Sequence, residues 1–195
     1  MEKQDIISFF DSSAGSWDEE LIRNDKVIEK ILDNCGIDKG VCVLDVACGT
    51  GVLFPDYIKR EAVVTGIDIS PEMVKIAKEK FPNVNVICGD VEETDFNEKF
   101  DTVMVYNAFP HFPDPERLVE KLSKLLRKGG RLSVAHGMSR EDLLKLHNER
   151  ASKVSLPLPD EKTLAKIFEP FFSVDIMISD SEMYQVSGVK KETSK

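Results

Sequence analysis

The sequence predicts an α/β fold, a doubly wound parallel sheet with helices on both faces. Three observations predict it. Apolar runs rich in Val and Ile, "VCVLDV", "AVVTGIDI" and "FDTVMVYN", read as strands buried on both faces. Amphipathic segments with recognisable caps lie between them. The strand–helix alternation runs along a 195-residue chain with no internal repeat and no low-complexity segment, and such alternation gives parallel strands with right-handed crossovers.

The elements follow in order. "DEELIRNDKVIEKILDNCG" reads as one amphipathic helix, with Val27, Ile28, Ile31 and Leu32 on its buried face and Gly36 as its stop. "VCVLDV" is the first strand. "GVLFPDYIKR" contains Pro55, which predicts a short or kinked helix. "AVVTGIDI" is the second strand, and "SPEMVKIAKEKF" is a helix capped by Ser70 and opened by Pro71. "NVNVICGD" and "FDTVMVYN" are strands three and four. In "DPERLVEKLSKLLRKGG", Asp114 caps, Pro115 opens, and Leu118, Leu122, Leu125 and Leu126 form the buried stripe. "RLSVAH" is the fifth strand. "SREDLLKLHNER" carries Ser139 with Asp142 three residues on, and "PDEKTLAKIFEPF" is a helix capped by Asp160. "FFSVDIMISDSEMYQVSGVKK" reads as a β-hairpin turning at "SDSE".

Composition bounds the function. Apolar residues make up 42% and charged residues 31%, ordinary for a globular protein and consistent with one domain. No apolar run approaches the roughly 20 residues of a membrane helix. "MEKQDIISFF" lacks the features of a signal peptide, so the expected location is the cytoplasm. Cys35, Cys42, Cys48 and Cys88 form no CxxC pair and are expected as buried free thiols, with no metal cluster. The net charge of −9 argues against nucleic acid and anionic membranes as partners.

Ligands of a doubly wound sheet bind beyond the carboxyl ends of its strands. The tips concerned are residues 45–51, 68–71, 89–91, 106–111 and 136–138. The first, in "VLDVACGTG", is glycine-rich, with Gly49 and Gly51 in the turn. A dinucleotide fingerprint needs a third small residue, and here that position is Phe54. Asp45 ends the first strand. Facing a pyrophosphate at about 4 Å, it would be repelled by roughly 4 kcal/mol at an effective dielectric near 20. The turn therefore suits a nucleoside with a cationic tail, such as S-adenosylmethionine, and argues against a nicotinamide oxidoreductase. Asp68 ends the second strand, where an acid can accept from both ribose hydroxyls; Ile69 follows it. Asp90 lies where an adenine edge would lie, with the Val91 N–H available to a ring nitrogen. Met73 is either core or a cover on the adenine. Asn107 ends strand four, beneath the methionine moiety.

"VLDVACGTG", "VVTGIDISPEMVKIAKEK", "VICGDVEETDF" and "FDTVMVYNAFPHFPDPERLVEKLSKLLRKGGRLSV" resemble the ordered motifs of class I S-adenosylmethionine-dependent methyltransferases, small-molecule type, which include ubiquinone/menaquinone methyltransferases. The resemblance covers residues 8–136 closely and the C-terminal hairpin loosely. It implies a Rossmann-like seven-stranded sheet in the order 3-2-1-4-5-7-6 with strand 7 antiparallel. It implies that Ala47 stands where many relatives have glycine, and that Trp17 in "FFDSSAGSWDEE" lies over the cofactor. It divides the domain into an N-terminal helical cap (1–36), a cofactor-binding core (37–136) and substrate-side helices with the hairpin (137–195).

His111 follows strand four, His136 ends strand five, and His147 lies on the helix beyond. An imidazole near the ligand edge can act as general base, and His111 and His136 are the catalytic candidates. The alternative is a non-catalytic cofactor-binding or metal-sensing protein using all three, although no HxH or HxxxH spacing supports a metal. "NAFP" at 107–110 is not the [DN]PP[YF] motif of nucleobase or glutamine methylation. The expected partner is a small molecule and the chain a monomer or homodimer. Residues 137–167 contain no Phe, Trp or Tyr, so a flat acceptor would stack on Phe109, Phe112, Tyr106 or Trp17. The acceptor atom, O, N, S or C, stays open.

Overall fold

The computed structural model describes residues 2–192, the Arg150 side chain apart. Its frame is a seven-stranded sheet made of β1 (Cys42–Val46), β2 (Val63–Asp68), β3 (Asn85–Cys88), β4 (Phe100–Tyr106), β5 (Leu126–His136), β6 (Phe172–Ser179) and β7 (Tyr184–Lys190). The order is β3-β2-β1-β4-β5-β7-β6. The first five strands run parallel, and β7 pairs antiparallel with both β5 and β6. This is the expected order, with the reversal at the C-terminal hairpin.

The helices are α1 (Lys3–Ser13), α2 (Trp17–Glu20), α3 (Asp25–Asn34), α4 (Phe54–Lys59), α5 (Pro71–Lys80), α6 (Pro115–Leu125), α7 (Arg140–Arg150) and α8 (Glu161–Phe168). Two buried clusters sandwich the sheet. One joins Leu118, Leu122, Leu164 and Phe168 to β4 and β5; the other joins Ile28, Ile31, Leu32, Phe54 and Tyr57 to β1 and β2. Ser70, Asp114 and Ser139 each accept from the backbone N–H three residues on, and Asp160 accepts from Lys162 and Thr163. These are the expected caps, and each satisfies a donor that the first helical turn leaves open.

Three expectations need correction. The helix expected over 18–36 is two helices separated by residues 21–24. Asn24 caps α3 by accepting from Val27 N at 3.3 Å, while Arg23 is drawn to the Val52 carbonyl and Asp56 at 2.7 and 2.6 Å. The fifth strand starts at Leu126, five residues early, because the Gly129–Gly130 stretch passes as an irregularity between the pairs Phe100–Leu126 and Thr102–Arg131. All four thiols are free, but only Cys35 and Cys48 are buried. Cys42 opens β1 and Cys88 ends the edge strand β3, positions the core does not cover.

Candidate active site

The carboxyl ends of β1, β2, β3 and β4 open into one cleft. Its space is ≈ 1130 Å³ with the open mouth included. Of the sequence candidates, Trp17, Asp45, Ala47, Gly49, Asp68, Ile69, Met73, Asp90, Val91, Asn107 and His111 line it.

The turn after β1 gives the cleft its floor. Ala47, Gly49 and Gly51 all have positive φ (54°, 55° and 83°), so the chain doubles back tightly and Gly51 N reaches the Cys48 carbonyl at 3.0 Å. Ala47 adopts this conformation despite its Cβ, which costs of order 1–3 kcal/mol. Gly51 itself does not line the cleft. A Cβ there would come within 2.6 Å of the Phe54 ring and 3.0 Å of Phe81, so this glycine serves the packing of the turn against α4.

Asp68 is held from two sides: Oδ2 accepts from Gly49 N at 2.8 Å and Oδ1 from Ser70 N at 2.9 Å. A carboxylate has about four lone-pair sites, so capacity remains for ligand hydroxyls. Burial raises its pKa, against the opposing pull of those N–H bonds. Burial, and then the Asp68 charge, push Asp45 well above the carboxylate range. Two buried acids side by side favour an incoming cation. Asp90 is already engaged: Oδ1 accepts from Glu92 N at 2.8 Å and Oδ2 pairs with Lys3 at 2.7 Å. The Asn107 side chain turns towards β5, where Oδ1 accepts from Gly137 N at 3.0 Å.

The N-terminal segment roofs the cleft. Phe10 packs edge-on against Trp17 and His111, with ring centroids 5.6 and 4.9 Å away. The segment is clasped at three places, one per loop. Lys3 pairs with Asp90 and Glu93 beyond β3. Asp11 accepts from Ser70 Oγ (2.5 Å) and Glu72 N beyond β2. Asp18 accepts from Thr50 Oγ1 (2.5 Å) beyond β1 and from Lys80 Nζ (2.6 Å) on α5. Sequence reasoning missed Lys3, Phe10, Asp11 and Asp18; the segment's weak amphipathic pattern does not announce what it will cover.

The chain carries a match to the methyltransferase domain family over residues 43–130. An uncharacterized methyltransferase of Anoxybacillus flavithermus is 33% identical over 142 residues, covering 68% of this chain and 67% of the relative. The chain belongs to the class I S-adenosylmethionine-dependent methyltransferases. Within that family, the ubiquinone biosynthesis O-methyltransferase of Coxiella burnetii is 36% identical over 99 residues, covering 48% of this chain and 42% of the relative. The chain thus spans less than half the length of that enzyme. The structure of magnesium protoporphyrin IX methyltransferase from Synechocystis with bound S-adenosylhomocysteine superposes with a TM-score of 0.73 at 19% identity, covering 97% and 100% of the two chains. The methyltransferase fold is therefore shared across distant members.

The structure separates the two catalytic candidates. His111 lines the cleft. His136 does not: it is fully buried under α7 and α8, with its ring 6.0 Å from Tyr184 and neither nitrogen hydrogen-bonded. Phe109 is likewise core, while Tyr106 and Phe112 reach the cleft. His147 lies beside His111, ring centroids 5.2 Å apart. Among the described residues no group of three or more His, Cys, Asp or Glu is arranged to hold a metal ion, and nothing favours the metal-sensing alternative. No helix among them is long and apolar enough to cross a membrane.

Proposed function

We propose that this protein transfers the methyl group of S-adenosylmethionine to a small-molecule acceptor, with the nucleoside in the cleft at the ends of β1, β2 and β3. The observation that carries the reading is the pair of buried carboxylates, Asp45 and Asp68, beside a tight glycine turn. Lys3 is the one Lys or Arg that lines the cleft among the described residues. A pyrophosphate would add negative charge beside two acids already costly to ionise, whereas a sulfonium and an α-ammonium would favour their ionised forms.

The cofactor supplies an already activated methyl group, so the protein's task is mainly to position the reactants and exclude water. In this reading Asp68 accepts from the ribose hydroxyls, and Asp90 and the Val91 N–H meet the adenine edge. Met73 and Ile69 pack against the base. Asp45, Gly49 and Ala47 face the cationic tail, with Asn107 closing that end. Phe10 and Trp17 cover the ligand, and His111 stands on the acceptor side. Gly51 contributes by shaping the turn.

Calorimetric titration tests the reading, with S-adenosylhomocysteine as ligand and NADH as control. Micromolar binding of the first and none of the second is expected. The reverse, or no binding of either, would sink the proposal.

A further inference from the structure

The geometry around His111 bears on which acceptor the site serves. His111 Nδ1 lies 2.8 Å from the Val154 carbonyl oxygen. A carbonyl oxygen only accepts, so in the neutral ring Nδ1 carries the proton and Nε2 keeps its lone pair. The ring lines the cleft, near Phe10, Trp17, Tyr106 and Phe112. Lys3, the cation of the cleft, is ion-paired at the opposite end, beyond β3. An anionic acceptor thus finds no cationic partner beside His111 among the described residues.

Resting on the methyltransferase reading above, we infer that His111 Nε2 is the catalytic base and that the acceptor presents a neutral hydroxyl or thiol, X–H. The oxygen or sulfur of X–H uses a lone pair to form its bond to the methyl carbon. The bond from that carbon to the sulfonium sulfur breaks, leaving its electron pair on sulfur. The X–H bond breaks with its pair kept by X, and the proton goes to Nε2. Net charge is conserved: the positive charge of the sulfonium ends on the His111 imidazolium, which releases its proton to solvent after the products leave.

The timing of the proton selects the acceptor class. Burial brings His111 down to about 4, with the Val154 hydrogen bond opposing and His147 adding to the effect. Such a ring is unprotonated at neutral pH but too weak a base to ionise a free hydroxyl beforehand. As X attacks, however, it moves towards a protonated ether or sulfonium species, an acid stronger than imidazolium, and the proton then passes downhill to Nε2. A primary amine would instead arrive as an alkylammonium, with a pKa of about 10.4, and so weak a base could not free its lone pair for attack. The groups in contact with His111 are His147 from α7, the Phe10 ring from α1 and the Val154 carbonyl, and His136 on β5 is within electrostatic reach. Burial lowers both other histidines as well, so none of these groups carries a full charge at neutral pH.

The test uses the full chain and His111→Asn, which keeps an amide N–H for Val154 but has no acceptor at the Nε2 position. Labelled S-adenosylmethionine is offered with phenols of graded acidity, an alkyl thiol and a primary amine; S-adenosylhomocysteine affinity is measured on the same preparations. The wild type is expected to methylate a phenol or the thiol and not the amine. The variant should bind S-adenosylhomocysteine within about threefold of wild type yet transfer roughly 10²- to 10⁴-fold more slowly, as expected for loss of a general base. That loss should shrink for phenols acidic enough to be ionised in the assay. An equal loss across the phenol series, no loss, or transfer confined to the amine overturns the assignment. Failure of the wild type to bind S-adenosylhomocysteine would instead remove the methyltransferase reading beneath it. If the cofactor product binds but no acceptor is methylated, ¹⁵N spectra of histidine-labelled protein at pH 7 decide. A proton on His111 Nδ1 upholds the assignment, and a proton on Nε2 overturns it.

Discussion

Asp68 both holds the turn after β1 in place and faces the cleft. Its two backbone bonds, from Gly49 and Ser70, fix the carboxylate before any ligand arrives. Hydrogen bonds to an ionised group contribute roughly 1.5–3 kcal/mol each, so Asp68→Ala should weaken S-adenosylhomocysteine binding by about 2–3 kcal/mol. Calorimetry reads that as a dissociation constant raised about 30- to 150-fold. Unchanged affinity would place the ribose elsewhere. The residue was legible in the sequence because it ends a buried strand, and strand ends in this fold point at the ligand. His136 ends a strand in the same way yet does not reach the cleft. It pairs across β5–β7 with Tyr184 and shares that partner's face of the sheet, beneath α7 and α8.

At the scale of elements, the N-terminal segment is the part with the most consequence for ligand exchange. It touches the loops beyond β1, β2 and β3 through Asp18, Asp11 and Lys3. The Asp18–Lys80 ion pair is solvent-exposed, and such pairs contribute about 0–1 kcal/mol. Asp18→Ala should therefore barely change the global stability, while dissociation of S-adenosylhomocysteine should become several-fold faster. In the wild type the same rate should rise with salt, because the Lys3 and Lys80 pairs are screened. Trp17 is the chain's single tryptophan and lines the cleft, so stopped-flow fluorescence can follow the event directly. A rate indifferent to both the variant and salt would show that ligand leaves by another route.

Across the whole molecule, distant parts of the chain meet in buried polar contacts. Gln185 on β7 donates to the Ile31 carbonyl and to Ser133 Oγ, and accepts from Asn34, tying α3 to the far half of the sheet. His136 gives the fold a pH dependence. Burial, then the charges of His147 and His111, bring it down to about 3, whereas an unfolded histidine titrates near 6.5. Protons thus bind the unfolded chain first, so its contribution to stability is complete above about pH 6.5 and drains away as pH falls towards 3. Between pH 7 and pH 5 the loss is about 2 kcal/mol, provided the folded value stays below 5. Asp45 and Asp68, both raised, act with the opposite sign. Denaturant melts of wild type and His136→Phe at both pH values cancel their effect. The wild type should lose about 2 kcal/mol relative to the variant on going to pH 5. A constant difference would mean that His136 is already protonated in the fold or never becomes so.

By itself the sequence determined whatever depends on near neighbours along the chain. The caps at Ser70, Asp114, Ser139 and Asp160, the short α4 at Pro55 and the failed dinucleotide pattern at Phe54 are set within a few residues, where local hydrogen bonds and sterics dominate. Buried strand runs, and the motifs that resemble the family, supplied the sheet and the acids at its tips. Only the tertiary structure decided which histidine faces the cleft, that Lys3 holds Asp90, and that Arg23 breaks the first expected helix by bonding Val52 and Asp56. Those outcomes depend on groups 29 to 87 positions apart being brought within bonding distance. No local pattern encodes such a pairing, because its energy exists only once the sheet has placed both partners at the same edge.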